Sequence, residues 1–105
     1  MTKLDDLYRQ LLQLGFVVLR QAVDAHDYEW VSAEVELLHN VPSLIGEKNP
    51  SRHRYFWHQE RAAYLDWVRA PGRQVQRSRM ATYYEPLWKE MEGCMAKLDA
   101  VNGKQ

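Results

Sequence analysis

Residues 49–69, Asn-Pro-Ser-Arg-His-Arg-Tyr-Phe-Trp-His-Gln-Glu-Arg-Ala-Ala-Tyr-Leu-Asp-Trp-Val-Arg, leave this chain few ways to fold. Wound as a helix at about 100° per residue, they collect His53, Phe56, Trp57, Glu60, Tyr64, Trp67 and Val68 on one arc of roughly 120°. That arc is a core-facing stripe with a carboxylate in its middle and an imidazole at its start. The rest of the chain has to cover it.

The flanking segments carry the same period. Thr2, with Asp5 three residues on, is a capping signal for a first helix, and Leu4, Leu7, Tyr8, Leu11, Leu12 and Leu14 follow at helical spacing. Gly15 could stop that helix. However, Leu4, Leu11 and Val18 lie seven apart, as do Tyr8, Gly15 and Ala22, so one helix to about Val23 is preferred. The rival is a strand over Phe16–Leu19, favoured by its residue types but without a second alternating segment to pair with. Asp24, followed by Asp27, is the expected cap of a second helix over Tyr28–Val41, ended by Pro42. Tyr28, Val31, Val35 and Leu38 form one edge of its apolar face, and Trp30, Leu37 and Val41 widen it.

A loop with Pro42, Gly46 and Pro50 leads to Asn49-Pro50, a cap and first-turn pair for the aromatic helix, which Pro71-Gly72 ends. A second capping box, Thr82 with Glu85, points to a last helix starting near Pro86. Its stripe is Met80, Tyr84, Leu87, Met91, Cys94, Leu98 and Val101, flanked by Trp88 and Met95, and Asn102-Gly103 closes it ahead of a frayed end. The expected fold is all-α: three to four helices in an antiparallel bundle, one domain over residues 1–105.

Function is less legible. Fourteen basic and fourteen acidic residues cancel, so global charge gives no argument for nucleic acid, membrane or an acidic substrate. One cysteine, Cys94, excludes an intrachain disulfide and a thiolate metal cluster. No apolar run is long enough to span a bilayer and no leader pattern opens the chain, so a cytoplasmic protein is expected. Cys94 sits in an apolar stripe as inert packing, and no nucleophile elbow or phosphate-cradling glycine loop occurs, so no catalytic residue is assigned.

Three readings remain. The preferred one is a non-catalytic interaction or regulatory module that needs no cofactor. It would associate with a second copy or another protein through Phe56, Trp57, Tyr64, Trp67 and Trp88, aromatic residues of the kind enriched at interfaces. The second is anion or nucleic-acid binding through the segment Arg69–Arg79, where Arg69, Arg73, Arg77 and Arg79 stand without an acid. The third is a polar pocket of Glu34, His39, His53 and Glu60, serving acid–base chemistry or a metal. Both glutamates fall on apolar arcs, and an unpaired buried charge is expensive. Glu36-x-x-His39 has the spacing of carboxylate-bundle metal sites, but only one such pair is present and Glu36 falls on the polar side. No metal is therefore assigned.

Overall fold

A computed structural model describes residues 2–103, and the side chains of residues 2–98. The architecture is all-α, with four long helical runs and no strand among the described residues. Helix α1 (Lys3–Asp24) is the longest single element. Its start is the capping box read from the sequence: the Asp5 amide donates to Thr2 Oγ1 at 3.2 Å, and the Thr2 amide donates to Asp5 Oδ2 at 3.4 Å. The other Asp5 oxygen accepts from the Gly46 amide at 2.9 Å, which ties the loop over residues 45–49 to the start of α1. That backbone donor comes first among the causes holding the Asp5 carboxyl below its ordinary value.

The helix runs through Gly15 without interruption, and packing gives the reason. A Cβ built there would lie 2.2 Å from Leu38 Cδ1. Gly15 is a point of close approach between α1 and α2 (Tyr28–Leu38), not a stop. Phe16–Leu19 is helical.

The joint between these helices corrects one expectation. Asp24 is the last residue of α1, and the cap of α2 is Asp27, whose Oδ1 accepts from the Trp30 amide at 3.1 Å. His26 turns the chain with φ of 54°, its amide donating to Val23 O and the Asp27 amide to Ala22 O. This is the paired closure of a left-handed helix end. Asp27 therefore finishes one helix and begins the next.

Helix α2 stops at Leu38. Pro42 does not end it but sits in the first turn of the short α3 (Val41–Leu44), where a missing amide costs nothing. The buried face of α2 is also turned from the expected one. Trp30, Glu34, Leu37 and Leu38 are buried, whereas Tyr28 and Val35 are exposed.

Helix α4 (Pro50–Tyr55) opens as expected, with Asn49 Oδ1 accepting from the Ser51 amide at 3.0 Å. It continues through a π-helical turn (Phe56–Glu60) into α5 (Arg61–Val68). The Arg61 amide donates to Phe56 O, one residue further back than in an α-helix. The widened turn absorbs a residue, so a uniform 100° step loses register across it. The seven-membered stripe divides accordingly. His53, Phe56, Tyr64 and Val68 are buried, while Trp57, Glu60 and Trp67 are half-buried.

The last run starts earlier than expected, at α6 (Gln74–Arg79), and passes through a second π-helical turn (Met80–Tyr84) into α7 (Glu85–Gly103). Thr82 and Glu85 are thus interior and form no capping box. Pro86 would remove a bond and strike the carbonyl four residues back in a regular helix, and the widened turn ahead of it relieves that conflict. Trp88 and Met95, expected on the flank, lie in the core beside Tyr84, Leu87 and Met91. Cys94 and Leu98 sit at its margin. The side chain of Val101, and the fraying expected past Gly103, lie outside what the structure describes.

Helix α1 packs on α2, α3 and α7, and α2 packs on α5. Gly15→Ala tests the close approach. Overpacking against Leu38 costs about 1–3 kcal/mol, against a gain of about 1 kcal/mol in helix propensity. A net loss of stability in urea denaturation is expected, larger for Gly15→Val, and the Gly15→Ala loss should be smaller when measured in a Leu38→Ala background.

Candidate functional site

The middle of the bundle holds a carboxylate. Glu34 is 0% exposed. Three side chains from three helical runs donate to it. Trp30, one turn earlier on α2, donates Nε1–H to Oε1 at 3.2 Å. The Tyr64 hydroxyl, from α5, donates to the same oxygen in a short hydrogen bond. The Tyr84 hydroxyl, from the second π-turn, donates to Oε2 at 2.6 Å. Aromatic rings enclose the set: Tyr64 meets Tyr84 edge-on with centroids 5.9 Å apart, and Trp88 lies 5.3 Å from Tyr84.

Burial pushes the Glu34 carboxyl above its ordinary range, and the bonds from Tyr64, Tyr84 and Trp30 pull the other way without cancelling it. Both phenols are pushed above their ordinary value, first by burial and then by the charge of Glu34. The cluster is a filled polar knot with no oxygen turned towards solvent.

The four residues expected in one polar pocket are not brought together. His53 lies under α1: its Nε2–H donates to the Glu47 carbonyl at 2.8 Å, which leaves Nδ1 to accept the Tyr8 hydroxyl at 2.8 Å. A carbonyl only accepts, so this tautomer follows from the partners. His39 is exposed, its Nδ1–H donating to Glu36 O at 2.9 Å. Glu60 accepts from Asn40 Nδ2 at 2.5 Å. His39 and Glu60 do line a common open groove of about 1180 Å³ between α2 and the aromatic helix, a groove that reaches Tyr64 but is not lined by Glu34 or His53. Among the described residues, no three His, Cys, Asp or Glu side chains converge as metal ligands.

The aromatic surface needs correcting for the same reason of register. Phe56, Tyr64 and Trp88 are core residues and are not available to a partner. Trp57 is half-buried beneath the Arg61 guanidinium, 4.1 Å from its ring centroid, and Trp67 beneath that of Arg73 at 4.3 Å.

The arginine segment is built into the α5–α6 corner. Arg77 Nη1 donates to the carbonyls of Val68 (2.8 Å) and Ala70 (3.1 Å), satisfying the end of α5. Arg73 pairs with Glu29 at 3.1 Å, and Arg79 Nε donates to Gln21 Oε1 at 2.7 Å. Arg69 pairs with Asp66 at 3.2 Å in solvent. Arg69 and Arg73 are paired with acids, whereas Arg77 and Arg79 bond neutral acceptors, so each side chain is held by the fold while part of the charge stays unneutralised.

These residues define an all-α bundle built round a buried Glu–Tyr–Tyr–Trp cluster. Compared with known proteins, the chain matches no family model, no curated protein and no solved structure.

Glu34 gives a pH dependence with a definite sign. Its folded value is raised, so its stabilising contribution is complete below the ordinary 4.5 and is lost as pH rises through the raised value. Asp5 has a lowered value and works in the opposite sense, losing its contribution as pH falls below 3.8. Urea denaturation should therefore show that Glu34→Gln removes the fall in stability that sets in as pH rises above 4.5. Glu34→Leu should destabilise at every pH, at about 1–3 kcal/mol for each donor left unsatisfied.

Proposed function

We propose that this chain is a small non-catalytic interaction module that self-associates through the outer face of the α1–α2 hairpin. The observation that carries the reading is Phe16, 63% exposed on a helix whose other side is core. Leu12, Phe16, Leu19 and Val23 form a second stripe on α1, one residue behind the buried Leu11, Gly15, Val18 and Ala22. Val23 is exposed, and across the hairpin Val31 of α2 is half-buried. An apolar face spanning two helices is the usual mark of an interaction site.

A second copy presents the same apolar stripe to this face. Beside the stripe, α1 carries Arg9 and Arg20, each only loosely paired with an acid on its own helix, at 3.6 and 3.5 Å. The acids Glu29 and Glu36 of α2 line the groove beside the aromatic helix and take no part in this face. Two hairpins stacked stripe to stripe bury Phe16 and Val23 of both copies, and together they make a four-helix arrangement of the kind amphipathic helices form readily. The reading includes a cytoplasmic setting, supported by the unpaired Cys94, half-buried in α7. No helix among the described residues is long and apolar enough to cross a membrane.

Sedimentation equilibrium should give a dimer mass for the native chain. Phe16→Glu and Val23→Glu should give monomers that keep their helical spectrum, whereas Trp57→Ala, remote from this face, should leave the dimer intact. A native monomer at all concentrations, or a dimer indifferent to Phe16→Glu, rejects the proposal.

A further inference from the structure

The groove between α2 and the aromatic helix carries a second inference, independent of the hairpin face. The helices lining it run antiparallel: Glu29 at the start of α2 meets the region of Trp67, through Arg73, and Asn40 just past its end meets Glu60. These two ends stand eleven residues apart along α2, about 16 Å at helical rise.

Their chemistry is alike, a carboxylate beside exposed aromatic rings, but their state differs. At the first end the chain supplies its own cation. The Arg73 guanidinium lies over Trp67 and pairs with Glu29, beside Tyr28, which is 73% exposed. At the second end Glu60 and Glu36 line the groove with Tyr55, 60% exposed, and no arginine or lysine pairs with either carboxylate among the described residues. Glu60 has one oxygen on Asn40, and its other, Oε2, is buried without a hydrogen-bond partner. Burying such an acceptor unmatched is costly, and a planar guanidinium is the donor that best fits a carboxylate next to an aromatic face.

We infer that this second end binds an arginine side chain presented by a segment of another protein, seated against Tyr55 with its guanidinium on Glu60 and Glu36. The first end shows the arrangement within the molecule. The groove between the ends is floored by Ala33, Ala63 and Leu37, small and apolar enough to take the segment's apolar residues. Glu60 turns towards the groove as its Oε2 takes the new donor, while Asn40 keeps hold of Oε1.

The test uses two short helical peptides of alanine and leucine, one with arginine at one position and the other with citrulline there. Citrulline keeps the shape and loses the charge. Binding is followed by amide chemical shifts of the isotope-labelled protein. The arginine peptide is expected to bind at least about tenfold more tightly, as a charge-assisted pair requires, with shifts centred on Tyr55, Gln59 and Glu60. Glu60→Gln and Glu36→Gln, each checked for an unchanged melting curve, should reduce that preference. Equal affinity for the two peptides overturns the inference, as do shifts confined to other faces or a preference that survives both substitutions. Dilution-dependent shifts at these residues in the protein alone would assign the groove to a second copy and overturn it as well.

Discussion

One buried charge organises this bundle. Glu34 cannot be left bare in a core, because the cost of stripping water from a carboxylate exceeds what surrounding apolar contacts return. Its donors come from α2 itself, from α5 and from the turn that opens α7, so satisfying it requires three helical runs to be correctly seated at once. A slip of any of them by one residue would carry a phenol away and leave the charge uncompensated. A purely apolar core of the same volume would tolerate such slips more readily, since one packing of leucines resembles another. The cluster thus contributes to choosing one arrangement as well as to holding it, the role best attested for buried polar groups elsewhere.

The two π-turns belong to the same account. One ends four residues before Tyr64, and the other contains Tyr84. Each adds a residue to its helix and so resets the direction in which everything beyond it points. In α5 that reset brings Tyr64 and Val68 inward and leaves Trp67 at the margin, under Arg73. In α7 it brings Trp88 and Met95 inward and accommodates Pro86 inside a helix. Widened turns are less favourable than regular ones, and here they coincide with the elements that reach the carboxylate.

That coincidence explains which features could be read from residues alone. Local signals were legible: the Thr2–Asp5 box, the Asn49-Pro50 start, the sevenfold spacing through Gly15 and the all-α class all follow from neighbours in the chain. Glu34 and Glu60 were visible as carboxylates on apolar arcs, and the Trp30–Glu34 pair, one helical turn apart, was within reach of the same reasoning. The phenols were not, because they arrive from thirty and fifty residues away. Nor could a uniform helical step foresee the π-turns, so the aromatic stripe was assigned as one face when it is two. Thr82 and Glu85 have the chemistry of a cap, but the burial of Tyr84 between them decides the matter in favour of continuous helix. The exposure of Phe16 was not legible, since only the placement of α2 and α3 decides which side of α1 remains uncovered.

The joint at Asp27 has a consequence for how the chain assembles as it is synthesised. With no spare residue between α1 and α2, and with Gly15 drawing Leu38 close, the hairpin depends on contacts local in sequence, the kind that form soonest. The residues that make those contacts are all present once residue 38 has been synthesised. At that moment Tyr64 and Tyr84 have not yet been made. Glu34 then faces water on one side of the nascent hairpin while Phe16 and Val23 lie bare on the other. The second half of the chain, as it emerges, closes over the charged side alone.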